Sequence, residues 1–222
     1  METLKEAFRP KSLRDVVGQP CVRQLQALAR NPRPCCIALE SSGPGTGKTT
    51  CAHALANDLG CKDGWLESVY VVCGANFDAE TARHYFGPES PFRFVAPGKG
   101  YHCLIVEELE YLHPQVQIIL KDALERILAK HKLIVVATSN DMSKLSKALR
   151  QRFQTFFMES GPCFADAFNN TLPAIWEARM GAAPMPAGWQ SFGYDGEEFS
   201  ARLALDMLER YMHAAEMEVA VA

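Results

Sequence analysis

Five short apolar segments recur along the first 160 residues, and segments with helical periodicity lie between them. We predict strands at Cys35–Glu40, Ser68–Cys73, Cys103–Glu107, Leu133–Thr138 and Gln154–Met158. Their apolar positions run continuously instead of alternating with polar ones, which is typical of strands buried on both faces of a parallel sheet. Because parallel strands are joined by crossover helices, the pattern predicts an α/β layer.

Helices are predicted in the intervals, at roughly Lys48–Leu59, Asp78–Tyr85 and Pro114–Lys130. Proline is accepted in the first turn of a helix, so Pro114 suits the start of the third one. That helix is the most regular of the three, because its apolar residues fall on one stripe, namely Val116, Ile119, Leu120, Ala123, Leu124, Ile127 and Leu128.

The pattern changes after Ser160-Gly161-Pro162, and no further strand is predicted. A helical pattern from about Phe164 to Met180 contains Pro173, which we expect to kink or restart the helix. A connector rich in Gly, Pro and aromatic residues follows, and a last helix is predicted from about Glu197 to Glu216. We therefore predict two domains, an α/β core over residues 1–160 and a small all-helical domain over residues 161–222.

Composition adds little to this picture but removes some classes of protein. The 222 residues are 48% apolar and 22% charged, as in ordinary globular chains. No apolar run reaches about 18 residues, and charges interrupt the first thirty, so neither a membrane span nor a secretory signal is expected. We expect a cytoplasmic protein that does not act at a membrane.

Charge is unevenly distributed along the chain. Residues 1–158 hold 20 Lys and Arg against 16 Asp and Glu, and residues 159–222 hold 3 against 10, which together give the net charge of −3. The asymmetry suggests two regions with different partners, although a solvated acidic helix face would give the same counts. Net charge alone gives no support for nucleic-acid binding.

The eight cysteines form no C-x-x-C pair and no Cys/His spacing of the zinc-binding kind. Four of them, Cys35, Cys36, Cys73 and Cys103, lie in or beside apolar runs, where cysteine acts as a small apolar residue. We expect reduced structural thiols and no resident zinc.

The strongest chemical signal is Ser42-Gly43-Pro44-Gly45-Thr46-Gly47-Lys48-Thr49, which follows a predicted strand and opens a predicted helix. Glycines let several backbone N–H groups turn inward, and the helix presents its positive end to a phosphate. Lys48 would reach the β- and γ-phosphates of ATP, and the Thr49 hydroxyl would bind Mg²⁺. We assign nucleotide binding to Gly43, Pro44, Gly45, Thr46, Gly47, Lys48, Thr49 and Thr50.

One position departs from the phosphate-loop pattern G-x-x-x-x-G-K-[ST], because Ser42 stands at its first glycine. Serine fits that turn only when its backbone φ is negative. A glycine-rich turn without a ligand is the alternative interpretation, and the preceding strand, following helix and Lys-Thr pair argue against it.

A second signal is the strand Leu104-Ile105-Val106, which ends in Glu107 and Glu108. The carboxyl ends of parallel strands face the crevice where ligands bind. We assign Glu107 to the metal and Glu108 to polarising the attacking water. Glu107 is one methylene longer than the Asp usual in this role. A solvated acidic loop is the alternative interpretation for an isolated pair of carboxylates.

Four further segments complete a recognisable set of motifs. They are Phe8-Arg9-Pro10-Lys11-Ser12-Leu13-Arg14-Asp15-Val16-Val17-Gly18-Gln19, Thr138-Ser139-Asn140, Leu149-Arg150-Gln151-Arg152-Phe153 and Phe199–Glu209. With the phosphate loop, they resemble AAA+ ATPases of the clamp-loader group, which includes replication factor C and the bacterial loader subunits. The chain also resembles the Holliday-junction branch-migration motors and the replication-fork maintenance ATPases.

This resemblance implies a role for each matching residue. Arg9, Val16 and Val17 belong to the segment that wraps adenine, and Asn140 takes the polar position of sensor 1. Arg152 matches the arginine finger better than Arg150 does, and Arg202 matches sensor 2 on the lid helix. Lys48, Glu108, Asn140 and Arg152 are thus the catalytic candidates. The implied fold is a P-loop NTPase: a five-stranded parallel sheet flanked by helices, followed by a helical lid.

The function implied is ATP hydrolysis with Mg²⁺ at subunit interfaces of a homo- or hetero-oligomeric ring, in a clamp-loader-like role in DNA replication or repair. The implied partners are DNA or a replication or repair protein, and weak candidates for a basic channel are Arg83, Lys99 and Lys121. We expect no collar domain after the lid, so a ring is expected to depend on ATPase contacts or another subunit. The alternatives are an ATP-driven remodeller of protein complexes and an ATP-binding scaffold with little turnover.

Overall fold

The computed structural model describes residues 2–62 and 67–221, and a five-stranded parallel sheet lies at its centre. The strands are β1 (Cys35–Glu40), β2 (Val69–Cys73), β3 (His102–Glu107), β4 (Leu133–Ser139) and β5 (Gln154–Phe157). Their order across the sheet is β2-β3-β4-β1-β5. The predicted fold class, a parallel five-stranded sheet flanked by helices, is confirmed.

Helices pack on both faces of the sheet and continue beyond it. Their bounds are α1 (Leu4–Ala7), α2 (Val22–Arg30), α3 (Lys48–Asp58), α4 (Ala79–Phe86), α5 (Pro114–Leu128), α6 (Lys147–Arg150), α7 (Pro162–Asn169), α8 (Leu172–Met180) and α9 (Ala201–Val221). Short 3₁₀ turns cover Leu13–Asp15, Gly74–Asn76, Pro91–Arg93, Leu109–Tyr111, Met142–Lys144 and Trp189–Ser191. The sequence pattern predicts α3, α4 and α5 to within two residues at each end.

Two apolar clusters fill the space on either side of the sheet. One joins β3 and β4 to α4 and α5 through side chains such as Leu104, Leu120 and Val135. The other joins β1, β3 and β4 to α2 and α3 through side chains such as Leu25, Ile37 and Leu55. Because the central strands are buried on both faces, their apolar runs are continuous, as the sequence pattern indicates.

The register brings the carboxyl ends of four strands to the same edge of the sheet. Cys73 at the end of β2 pairs with Glu107 at the end of β3, and Glu40 at the end of β1 pairs with Ser139 at the end of β4. The phosphate loop leaves β1 at this edge, so the two acidic residues and Asn140 are its neighbours. This edge is where open α/β sheets bind ligands.

The segment after residue 160 agrees with one expectation and differs from another. The expected restart of the helix at Pro173 is confirmed, because α7 ends before Asn170 and Pro173 lies in the first turn of α8. The prediction of no further strand is wrong, since β6 (Tyr194–Asp195) pairs with β7 (Glu198–Phe199) in an antiparallel hairpin. Strands of two residues are too short to show an alternating apolar and polar pattern. Because β7 precedes the last helix, this helix begins at Ala201 and not at the predicted Glu197.

A third apolar cluster holds α7, α8 and α9 together, with Phe164, Trp176, Phe199 and Leu208 among its buried members. The first turn of the chain joins it, because Leu4 is 3% exposed in this cluster. Lys5 also forms an ion pair with Asp206 at 2.5 Å. The N-terminal residues thus pack on the C-terminal helices rather than on the sheet.

The segment after α1 returns to the α/β layer. Leu13 N donates a hydrogen bond to Asp58 Oδ2 at 3.1 Å, and the Asn57 side chain donates to Lys11 O at 3.0 Å. Residues 8–11 therefore cross from one group of elements to the other. Within residues 2–62 and 67–221, the structure contains no helix with the length and hydrophobicity that a bilayer-spanning segment requires.

Candidate nucleotide-binding site

A cavity of about 660 Å³ lies between the carboxyl edge of the sheet and the C-terminal helices. Its walls come from four sources: the segment around Arg9 and Val16, the phosphate loop, the ends of β3 and β4, and the helices α7 to α9. Every predicted nucleotide-binding residue except Gly43 lines it. The structure thus brings together residues that are up to about 190 positions apart in the chain.

The phosphate loop has the backbone conformation that its glycines allow. Gly45 has a φ of +72° and Gly47 a φ of +90°, both in the region that side chains disfavour. Ser42 is not among the residues with positive φ, so serine is compatible with its position. The first helical hydrogen bond of α3 runs from Cys51 N to Gly47 O at 2.8 Å, which leaves the preceding amides of the first turn available to an anion.

Lys48 lies half-buried within the loop. Its ammonium group donates to Gly43 O at 2.9 Å and to Ser41 O at 3.5 Å. Burial lowers the pKa of Lys48, while the Glu110 carboxylate raises it and the Arg202 guanidinium lowers it. Lys48 and Arg202 therefore lie close enough to interact, and two neighbouring cations suit a polyphosphate.

The start of α9 packs directly on the phosphate loop. Ala201 N donates to Gly45 O at 3.1 Å, and a side chain at Gly45 would collide with the Ser200 hydroxyl. Arg202, the sensor 2 candidate, is exposed and lines the cavity. The absence of a Cβ at Gly45 is therefore required by both the backbone angle and the neighbouring helix.

Gln19 connects the loop to the end of β5. Its side-chain amide donates to Thr46 O and to Glu159 O, both at 2.9 Å, and its oxygen accepts from Glu159 N at 2.8 Å. Gln19 is 6% exposed, so these bonds are shielded from water. Gln19 belongs to the segment that resembles an adenine-binding motif, but its contact with Glu159 was not predictable. A single glutamine carries no local signal for a partner 140 residues away.

The acidic end of β3 has an unusual backbone. Glu108 has a φ of +54° and is the one non-glycine residue with positive φ in the part of the chain that the structure describes. Its N–H donates to Thr138 Oγ1 at 3.2 Å, and the Cys73 thiol lies 3.8 Å from its carboxylate. Gly74 makes room for this turn, because a Cβ there would collide with Glu108 O. Both Glu107 and Glu108 line the cavity.

A third carboxylate in the same turn is a site residue that the sequence analysis missed. Glu110 is 6% exposed and lines the cavity. Its Oε1 accepts hydrogen bonds from Asn140 N at 3.0 Å and from Asn140 Nδ2 at 2.9 Å. The available signal was the run Glu107-Glu108-Leu109-Glu110, in which the third acid comes one helical turn after the first.

Part of the cavity lining is apolar. Val16 and Val17 line the cavity with Phe164, Ile175 and Leu205 from the C-terminal helices, and Arg9 lines it as well. A flat aromatic base fits apolar side chains, whereas charged groups such as Lys48 fit phosphates. The cavity thus offers both kinds of lining that a nucleotide requires.

The donor set is compatible with Mg²⁺. Thr49 and Glu107 line the cavity and offer a hydroxyl and a carboxylate, the hard oxygen ligands that Mg²⁺ accepts. No group of three or more His, Cys, Asp and Glu able to hold a metal occurs among the described residues. A cation here would therefore need phosphate oxygens and water as additional ligands.

Arg152 lies away from this cavity, in the turn after α6. Its Nε is 3.1 Å from Glu125 Oε1 on α5, and its side chain is 31% exposed. Arg150, the second candidate, is half-buried nearby. Neither residue lines the cavity of its own chain.

The three candidates for a basic channel have separate surroundings. Lys99 donates to Ala29 O, and Lys121 pairs with Asp122 at 3.3 Å. Arg83 is exposed on α4. Two of the three charges are thus already engaged within the chain.

Comparison with known proteins agrees with this geometry. Residues 38–160, more than half of the chain, match the family model described as ATPase family associated with various cellular activities (AAA). The replication factor C small subunit of Aeropyrum pernix is 31% identical over 161 residues, covering 68% of this chain and 46% of the relative. The large subunit of Methanopyrus kandleri is 28% identical over 161 residues, covering 65% and 31%. The chain thus spans less than half of these relatives.

Solved structures show the same fold. The Thermotoga maritima RuvB Holliday junction branch migration motor aligns with a TM-score of 0.69 and 20% identity, covering 91% of this chain and 64% of that one. A point mutant of the same protein aligns with a TM-score of 0.73 and 19% identity, covering 97% of this chain and 68% of that one. At this level of identity the likeness concerns the fold alone.

Proposed function

Because the chain belongs to the AAA family of ATPases, we propose that it binds ATP in the cavity between the sheet and the C-terminal helices and hydrolyses it at subunit interfaces of an oligomer. One observation carries this proposal: the phosphate loop, the acidic end of β3, Asn140 and Arg202 line a single cavity. The division into a core of residues 1–160 and a helical lid of residues 161–222 is part of the proposal, supported by the third apolar cluster, whose buried members apart from Leu4 all follow residue 160.

Binding is assigned to two groups of residues that line the cavity. Val16, Val17 and Arg9 hold the base. The first-turn amides of α3 bind the phosphates, together with Thr46 and Thr50 of the phosphate loop and the helix that follows it. Lys48 then exchanges its carbonyl partners for phosphate oxygens. Arg202 reaches the terminal phosphate from α9, so bound ATP would connect the lid to the core.

Hydrolysis is assigned to the carboxylates and Asn140. Mg²⁺, held by Thr49 and Glu107, would neutralise charge on the phosphates when bound. Glu108 accepts a proton from the attacking water, and its exposed carboxylate at the end of β3 is free of ion pairs among the described contacts. Asn140 donates to the terminal phosphate or to that water.

Completion of the site is assigned to a second subunit. Arg152 lies outside its own cavity and is partly exposed, which fits a guanidinium that acts on the nucleotide of a neighbour. Arginine fingers supplied in this way raise the rate of hydrolysis by roughly 10³–10⁵. An isolated protomer is therefore expected to bind ATP but to hydrolyse it slowly.

For the process served, we propose a clamp-loader-like role in DNA replication or repair, in the cytoplasm. The support is the similarity to replication factor C subunits, and it is a family-level argument. A remodeller of protein complexes and an ATP-binding scaffold share the same cavity and differ in what stimulates turnover.

The discriminating experiment measures ATP turnover with and without primed or branched DNA across a salt series, with the oligomeric state measured in a non-hydrolysable ATP analogue. Stimulation by DNA that falls steeply with salt supports the replication or repair role, because phosphate contacts release counterions. Stimulation by a protein partner alone would favour the remodeller. Retention of ATP without turnover under every condition would favour the scaffold and contradict the enzymatic proposal.

A further inference from the structure

Glu110 is a buried carboxylate, and such a group lowers the stability of the folded protein unless it is compensated. It is 6% exposed, in the 3₁₀ turn that follows β3, and it faces the cavity together with Lys48 and Asn140. Burial of an ionised carboxylate is unfavourable unless hydrogen bonds or opposite charges compensate it. The turn reaches this position through the left-handed backbone of Glu108.

The two oxygens of Glu110 have different surroundings. Oε1 accepts both hydrogen bonds from Asn140, at 3.0 Å from its backbone N–H and at 2.9 Å from its side-chain amide. Oε2 is buried and has no hydrogen-bond partner among the residues that the structure describes. A residue retained only to hold the fold would be expected to have both oxygens satisfied.

The bond to the Asn140 side chain has a chemical consequence. An ionised carboxylate can only accept hydrogen bonds, so the Asn140 amide must present its nitrogen to Glu110. This fixes the amide orientation and leaves its second N–H and its oxygen to other partners. Asn140 is itself exposed at the cavity, so without Glu110 the amide could turn over.

We infer that Glu110 is a positioning residue for ATP hydrolysis, which fixes the amide of Asn140 through one oxygen. The inference depends on the proposed function and concerns the same site. Asn140 is then presented to the terminal phosphate in one orientation.

The test compares Glu110→Met, Asn140→Ala and the double variant with the wild-type chain, in the assembled protein. Glu110→Met keeps a side chain of similar length but removes both acceptor oxygens, so the Asn140 amide is free to turn. We expect its kcat to fall by roughly 10- to 100-fold, the range for a hydrogen bond to a charged group. We expect KM and the Kd for ATP to stay the same or decrease, because a negative charge is removed beside a polyanion.

Because Glu110 acts through Asn140 in this proposal, the kcat of the double variant should show a specific pattern. Its kcat should lie within about threefold of that of Asn140→Ala alone, since the two residues form one unit. Glu177→Gln, an exposed carboxylate on α8, serves as the matched control and should match the wild type. A fall in kcat together with weaker ATP binding and lower stability would indicate a structural role and overturn the inference.

A readout independent of turnover is the side-chain amide of Asn140 in ¹⁵N-resolved NMR. Its proton that bonds to Glu110 should be shifted and protected from exchange in the wild type, and this signature should be lost in Glu110→Met. Normal kcat in Glu110→Met, multiplicative losses in the double variant, or an unprotected amide in the wild type would each overturn the inference. Failure of the proposed function is distinguishable, because the wild type itself would then show no turnover.

Discussion

At the scale of single residues, the site depends on charged side chains that are partly or fully buried. Lys48 donates hydrogen bonds to two loop carbonyls. Burial lowers its pKa, Glu110 raises it and Arg202 lowers it. The sequence pattern predicts Lys48 and Glu108, because both belong to local motifs. It does not predict Glu110, because the partner that gives this residue its importance, Asn140, is 30 positions away.

Glu108→Gln should retain ATP binding and lose hydrolysis. The amide has the size of the carboxylate but cannot take a proton from water, and loss of general-base action costs roughly 10²–10⁴-fold. Binding and single-turnover hydrolysis of labelled ATP measure the two properties separately. Hydrolysis at the wild-type rate would show that another group positions the water.

His102 should make stability depend on pH. Burial lowers its pKa below 6.5, while a hydrogen bond with Phe94 O at 2.9 Å raises it and His131 lowers it. Its Nδ1 is buried and has no hydrogen-bond partner within residues 2–62 and 67–221, so a proton added there is unfavourable. Since the unfolded chain then binds more protons, the free energy of unfolding should be highest above about pH 6.5 and decrease as the pH falls below it.

Urea denaturation at pH 7.5 and pH 5.5 measures this effect against His102→Gln, which keeps an N–H donor but does not titrate. The wild type should lose more stability between the two pH values than the variant does. Equal losses would mean that His102 does not contribute to the pH dependence.

At the scale of elements, the strands and long helices were predictable and the turns between them were not. Buried runs such as Leu133–Ser139 carry their own signal, because both faces of the strand are apolar. The left-handed turn at Glu108 and the hairpin after Phe192 depend on tertiary contacts, with Gly74 and with α9 respectively. The four-residue helix α1 is likewise held by packing on α9, which the local sequence cannot show.

Gly45→Ala should weaken ATP binding and lower stability more than Gly196→Ala does. Both residues have positive φ, at +72° and +64°, so alanine costs each about 1–2 kcal/mol of backbone strain. A side chain at Gly45 would additionally collide with Ser200, whereas nothing lies within 4 Å of one at Gly196. Chemical denaturation and ATP titration of both variants measure the difference, and equal effects would contradict the close packing of α9 on the loop.

At the scale of the whole molecule, the cavity is formed only when the two ends of the chain meet. Leu4 and Lys5 pack on the helix that carries Arg202, while Leu13 is bonded to the α/β layer. The motif order along the sequence was sufficient to predict that these segments line one cavity. It could not show that the N-terminal turn packs with the lid, because that contact joins residues more than 200 positions apart.

Arg152→Ala should leave ATP affinity nearly unchanged and reduce turnover in the assembled form by roughly 10³–10⁵. The physical reason is that its guanidinium stabilises charge in the transition state of a neighbouring site and touches none of its own. Arg33→Ala, an exposed arginine remote from the cavity, is the matched control. Undiminished turnover in the assembled Arg152→Ala protein would remove this residue from the mechanism.

The central claim is that the cavity beside the phosphate loop grips the triphosphate of ATP, and equilibrium titration of the purified chain with ATP and Mg²⁺ tests it most directly. Saturable binding with one site per chain is expected for the wild type. Lys48→Ala should bind at least about tenfold more weakly, because it removes the point charge at the phosphate end. No binding by the wild type, or equal binding by Lys48→Ala, would contradict the account.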